Sequence, residues 1–376
     1  MLQVAEDRLL RLWLTRELVE IYIDLRKSRR KPYEAQRSAM LRQWRKRVDP
    51  TIEGPLHDTL DATIAEAQRQ LDVRDRRQAI FQVLRALDQK PRPQDLRTLS
   101  QMLRRVDLIE LPRDIYRLSL LHPLAPLALS NVRHYRNLDG WTKERALGWQ
   151  PPLLAPSAAP PAERALYCLW RSVPHDTNGY ATRSHYLLRG LSHVGADVAA
   201  VTRFGYPWDM GADQEARTDH GLRQVIDGVP YYRLGSAIGN RRHVPTDYYL
   251  RECALRIAHL ARLLDVKLIH SASNWMVGYP AALAAEMLGL PFVYEVRGLW
   301  EITRYSADFD YLNCDHYELF HRMETETVKR AALVLPITQA IGAELVERGA
   351  VDPGRLRIVP NGVEAGRFEP RRAAWS

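Results

Sequence analysis

Residues 266–301 read VKLIHSASNWMVGYPAALAAEMLGLPFVYEVRGLWE. VKLIH (266–270) is a short apolar run with strand character, a helical pattern follows near 276–288, and PFVYEV (291–296) is a second strand-like run. Strand, helix, strand in that order implies a parallel sheet with helices on its faces. A strand covered on both sides has no water to meet an ion, so Arg297, directly after PFVYEV, is conspicuous.

The same alternation extends in both directions. Upstream are ALYCLW (165–170), a helix near 180–193, DVAAVT (197–202), a hairpin around IDGVPYYRL (226–234) and a helix near 246–264. Downstream are a helix near 315–331, LVLP (333–336), a helix near 338–348 and LRIVP (356–360), read as a sixth strand. The first part of the chain lacks this rhythm. Leu10, Leu14, Leu18, Ile21 and Leu25 share one helical face, and similar spacings recur over 60–71, 80–87 and 96–106, with Pro55, Pro91 and Pro93 between them. Residues 1–120 therefore read as a helical bundle, 121–163 as a Pro/Ala-rich linker, and 164–362 as a Rossmann-like α/β domain.

Charge follows that division. Residues 1–150 hold 29 Lys and Arg against 20 Asp and Glu, while residues 151–376 hold 25 of each, so the whole net charge of +9 lies in the first part. Such a surface suits an anionic membrane, a nucleic acid or an acidic partner, although no nucleic-acid signature accompanies it. The most apolar window, 118–130, is too short for a membrane span and contains two prolines, and the start of the chain has charges where a signal peptide needs an apolar core. A cytoplasmic location is expected. Cys168, Cys253 and Cys314 are odd in number and far apart, and no histidine stands at metal-ligand spacing from them, so reduced thiols and no metal site are expected.

In an open parallel sheet, ligands bind outside the carboxyl ends of the strands. The segments there are polar: RSVPHDTNGYATRSH, RFGYPWD, SASNW, RGLWE, ITQA and NGV. Asn178 and Gly179 precede a helix whose free N–H groups suit a phosphate, and Gly179 lets a ligand approach the backbone. Neither the Gly-x-Gly-x-x-Gly fingerprint nor a phosphate loop ending in Gly-Lys-Ser/Thr occurs, which disfavours NAD and P-loop chemistry. Arg203, Asn274 and Arg297 stand at matching strand ends, with Trp208, Trp275 and Trp300 nearby as stacking surfaces. An ion pair of Arg297 with Glu295 or Glu301, and packing roles for the tryptophans, explain the same residues without a ligand.

VPHDTNGYATRSHYLLRGL, DVAAVTRFGYPWD, IHSASNW, PFVYEVRGLWE, METETVKRAALVLPITQAIGAEL and RIVPNGVEAGRF, in this order over about 164–370, resemble the amino-terminal domain of the family 4 glycosyltransferases, which have the two-domain GT-B fold. The resemblance implies retaining sugar transfer from a nucleotide-sugar co-substrate to a glycan or lipid-linked acceptor, without an obligatory metal or further cofactor. It places Asn178, Gly179 and Tyr180 in the loop facing the donor phosphates, while Arg203, Asn274 and Trp275 are substrate-binding candidates from their places at the strand ends. Many members have a histidine where this chain has Arg297, so Arg297 and Glu301 become the catalytic candidates. Asn361 and Gly362 match the start of the hinge to a donor-binding domain, with 363–376 as its beginning; that domain's Arg, Lys and paired glutamates are expected on a separate polypeptide. A truncated remnant or a scaffold module is the alternative, and peripheral contact of 1–120 with anionic lipid is a further expectation.

Overall fold

The computed structural model describes residues 2–48, 52, 54–55, 57–125, 127–154, 163–210, 222–235 and 244–362, with side chains from residue 15 onward. Seven strands form one sheet: β1 (Ala165–Leu169), β2 (Val198–Thr202), β3 (Arg223–Ile226), β4 (Val229–Arg233), β5 (Leu268–Ala272), β6 (Phe292–Val296) and β7 (Leu333–Pro336). Their order is β3-β4-β2-β1-β5-β6-β7. Every neighbouring pair is parallel except the β3–β4 hairpin. That hairpin turns at Asp227 and Gly228, both with positive φ, as a two-residue Asp-Gly turn requires. Without β3, the parallel strands run third, second, first, fourth, fifth, sixth. This is the doubly wound order, and the connections diverge between β1 and β5, which opens a crevice there.

Helices α9 (Gly179–His193), α10 (Thr246–Leu263), α11 (Trp275–Leu288), α12 (Trp300–Ala307), α13 (Asp315–Lys329) and α14 (Gln339–Glu347) cover the sheet. α11 is apolar nearly all round because it lies between β5 and β6 on one side and α10 and α13 on the other. Gly278 permits that closeness, since a Cβ there would stand 2.5 Å from the Tyr294 ring. Two details differ from the sequence reading. α12 begins where a loop was expected, and 356–360 is not a strand. Leu356 makes one parallel bridge to Val334, and Arg357 N and Val359 N each donate at 3.0 Å to Val334 O and Pro336 O. The segment then meets Pro360 and runs along the outer edge of β7 half exposed, so there is little to extend the pairing. Residues 363–376, expected to begin a hinge, lie outside the described residues.

The helical part comprises α1 (Leu2–Ser28), α2 (Tyr33–Arg45), α3 (Leu60–Asp72), α4 (Arg76–Asp88), α5 (Pro93–Arg104), α6 (Glu110–Leu121), α7 (Leu129–Asp139) and α8 (Lys143–Leu147). Leu87, Leu96, Leu99, Leu103 and Ile115 are fully buried at its centre. Thr59 and Asp75 cap α3 and α4 by accepting from Ala62 N at 3.3 Å and Gln78 N at 2.9 Å. The expected all-α region before a Rossmann-like sheet is thus the architecture, but 121–163 is not a simple linker. Its prolines cluster at the two ends, and the middle forms α7 and α8, which bury Val132, Arg136, Leu138 and Ala146.

That middle segment joins the two parts. Arg136, 1% exposed, donates to Asp247 Oδ1 at 2.9 Å and Oδ2 at 2.6 Å, and Glu17 lies 3.0 Å from its Nε. Gly140 leaves room for this contact, because a Cβ there would come within 2.7 Å of both Asp247 Oδ1 and Pro245 Cβ. Further along the seam, Arg76 donates to Asp308 at 3.1 and 2.7 Å. Asp315 accepts from Ile109 N at 2.8 Å and Glu110 N at 2.6 Å, capping α6 from the α/β side. Tyr311 and Cys314 of the α/β part are buried within the apolar cluster of the helical part. Replacing Arg136 by Met would leave Asp247 buried without its counter-ion. The expected cost is about 3–5 kcal/mol, read as a fall in the urea midpoint with native far-UV circular dichroism retained.

Candidate functional site

The crevice at the β1/β5 divergence opens into a cleft of about 1530 Å³. Gly179, Tyr180, Arg183, Arg297, Trp300 and Asn361 are among the residues that line it. β1 leads through the 170–178 loop into α9, whose first turn faces the cleft. Asn178 caps that turn by accepting from Ala181 N at 3.0 Å, so the amides of Gly179 and Tyr180 stand at a helix start without intrahelical partners. Gly179 is exposed, and a Cβ placed on it would touch nothing within 4 Å.

The floor of the cleft is a charge cluster around Glu295, at the end of β6 and 2% exposed. Its Oε1 accepts from Arg183 Nε at 3.0 Å and Nη2 at 2.6 Å, and its Oε2 from Arg297 Nη2 at 2.9 Å and from the Tyr167 hydroxyl. Burial alone would raise the Glu295 carboxyl, but the charge and hydrogen bond of Arg297, with the Tyr167 hydroxyl, hold it down at about 2. His270 packs against Tyr167 with the rings tilted at 58° and their centroids 4.3 Å apart, and burial lowers the imidazole pKa to about 4. At neutral pH the cluster therefore consists of two guanidiniums, one carboxylate and a neutral imidazole, which leaves one positive charge beneath the α9 start.

Both terminal nitrogens of Arg297 are engaged by this cluster, while its buried Nε has no partner among the described residues. Nη1 donates to Tyr180 O at 3.0 Å and Ser184 Oγ at 2.8 Å, Nη2 donates to Tyr167 OH at 2.9 Å as well as to Glu295, and the guanidinium lies 4.8 Å from the Tyr180 ring centre. Its ion pair is with Glu295, one of the two partners the sequence offered, and its effect is to fix the first turn of α9. Arg183 reaches the other way. Beyond Glu295 it donates to the Asn361 side chain and approaches Val359 O at 3.4 Å, tying α9 to the 359–361 segment.

The remaining candidates all stand at carboxyl ends of strands, but several are turned inward. Arg203, 4% exposed, forms a two-point pair with Asp209, one bond being 2.8 Å, and stacks on Trp170 at 4.4 Å. Asn274 caps α11 by accepting from Met276 N at 2.8 Å and is 1% exposed. Trp275 is core, packed edge-on against Phe320 at 5.2 Å. Glu301, 1% exposed, pairs with Arg348 at 2.7 Å below α12. None of these four lines the cleft among the described residues. Gly179, Tyr180, Arg297, Asn361 and Gly362 do line it, and Asn178 sits at its rim. Sequence reading missed Arg183, although Gly179 and Arg183 are four residues apart on one helical face, which was the available signal.

Residues 178–362 match the family described as glycosyl transferase 4-like domain. Among solved structures, sucrose-phosphate synthase from Thermosynechococcus elongatus is similar at 15% identity over 56% of this chain and 50% of that one, with a TM-score of 0.42. Alr3699/HepE of Anabaena, in complex with UDP-glucose, is similar at 13% identity over 55% and 45%, with a TM-score of 0.36. MurG of Acinetobacter baumannii is similar at 11% identity over 54% and 47%, with a TM-score of 0.31. The chain spans about half the length of each of these structures. None of the curated proteins matches it. The family match begins at the cap of α9 and ends at Gly362 on the rim of the cleft, so the wall just described lies within the segment that matches the glycosyl transferase 4-like domain.

Proposed function

We propose that this cleft is the acceptor-side wall of a glycosyl-transfer site, where a sugar passes with retention from a nucleotide-sugar donor to a glycan or glycolipid acceptor. The observation that carries the reading is the exposed start of α9, open at Gly179, above a buried cluster with one uncompensated positive charge. In the transfer, the bond between the anomeric carbon and the diphosphate oxygen breaks. A bond to the acceptor hydroxyl oxygen forms, and the hydroxyl proton leaves with the diphosphate. Negative charge grows on that leaving group, and helix amides fixed in advance stabilise it without reorganising. Arg297 and Glu295 are positioning residues in this reading: they hold the amides in place through Tyr180 O and Ser184. Trp300, 47% exposed at the mouth, offers an aromatic face to a sugar ring. A donor-binding domain, from the same polypeptide or another, forms the opposite wall, and Asn361, clasped by Arg183, marks the pivot. No helix among the described residues is long and apolar enough to cross a membrane. Cytoplasmic assembly of a surface glycan or glycolipid is the setting that suits these properties.

Two results are expected. UDP, GDP or dTDP diphosphates added to the full chain shift the backbone amide resonances of Gly179 and Tyr180. Gly179→Leu abolishes those shifts with an unchanged fold, since the site has space for the side chain. If saturating diphosphates leave the cleft resonances unmoved, the transferase reading gives way to a scaffold role. The second result concerns Glu295, whose depressed pKa means that its contribution is present above the unfolded carboxyl value and is lost as pH falls through about 2. Glu295→Gln therefore costs about 3 kcal/mol near pH 7, and the deficit shrinks as pH falls toward 2 in urea titrations.

A further inference from the structure

The helical part contains a second cationic site, remote in sequence from the cleft. Arg97 and Arg104 lie seven residues apart on α5, two turns along one face, and the imidazole of His134 on α7 stacks on Tyr116 of α6 with centroids 4.6 Å apart. Desolvation, then Arg104, then Arg97 lower the His134 pKa, and Arg97 also acts on Tyr116, so two guanidiniums and a neutral imidazole share one neighbourhood. Their donors are left without partners. Arg97 Nε and Nη2 and His134 Nε2 are buried and make no hydrogen bond among the described residues. Arg104 is exposed on the same face and forms no ion pair with a carboxylate among the described residues. Elsewhere in this part Arg37, Arg76, Arg113 and Arg136 turn toward the carboxylates of Glu34, Asp308, Asp114 and Asp247, and Arg29 donates to the carbonyls of Leu120 and Ala125.

Buried guanidinium donors without an acceptor are costly, and an oxyanion satisfies them in the way the carboxylates satisfy the others. We infer that Arg97, Arg104 and His134 form a binding site for a phosphate group. Arg97 supplies the enclosed donors, His134 a further nitrogen from α7, across α6, and Arg104 an arm from the solvent side. The phosphate belongs either to a soluble ester or to a lipid headgroup, and both present the same terminal oxygens.

The test uses the full chain, with Arg104→Gln, Arg97→Gln and His134→Asn as variants. Arg104 is exposed, so its replacement preserves the fold even where the other two disturb packing. Inorganic phosphate, followed by the His134 ring resonance, is expected to raise the imidazole pKa and to saturate. Arg104→Gln weakens this binding at least tenfold without moving the cleft resonances. Flotation with vesicles of phosphatidylcholine alone, or with phosphatidic acid added, separates the sources: retention on phosphatidic acid that is lost in Arg104→Gln assigns the headgroup. Saturation by phosphate without vesicle binding assigns a soluble ester. The site is overturned if phosphate leaves the His134 resonance unchanged, or if Arg104→Gln and a folded Arg97→Gln bind phosphate as tightly as the parent chain.

Discussion

Glu295 sits at the end of β6, an interior strand next to the sheet edge, with almost no water to solvate it, and its charge has to be answered by protein groups. Three elements supply them: Tyr167 from β1, Arg183 from α9 and Arg297 from the loop after β6. Each donor then makes a second contact that fixes something else. Arg297 holds the α9 first turn, Arg183 holds the 359–361 segment, and Tyr167 closes over His270. A buried ion cluster of this kind is weak as a source of net stability but strict about geometry, because displacing any one donor leaves a charge unsatisfied. The shape of the cleft follows from that strictness.

The alternation of elements was legible because most of the parallel strands are predominantly apolar runs, short enough to be told from a helix, and because the helices between them keep their own period. Strand ends therefore identified the loops correctly. The direction in which a loop side chain points was harder to read. Glu295 and Arg297 are two apart, hence on the same side of an extended chain, and that ion pair was among the alternatives the sequence offered. Arg203 meets Asp209 six residues later within one turn, while Glu301 meets Arg348 across α13 and β7, a partnership that no local pattern announces. The 356–360 run has strand composition but only an edge to lie on, and α7 was hidden by the prolines on either side of it.

Composition located the basic excess in the first 150 residues but not its division of labour. Arg76 and Arg136 face inward and lock the helical part to the sheet through Asp308 and Asp247. Arg97 and Arg104 have no such carboxylates. The same residue type thus serves as mortar at the seam and as an open receptor on α5, and only the acids within reach distinguish the two uses.

The seam between the parts also bears on how such a protein can change over time. Tyr311 and Cys314, contributed by the turn before α13, complete a core that otherwise belongs to the helices, and Asp315 supplies a helix cap that α6 does not have for itself. An α/β part without these three residues would leave a hole in the helical core, and the present α/β part, separated from the helices, would expose the apolar side chains of Tyr311 and Cys314. The two parts are therefore packed as one unit, although their sequences read as two.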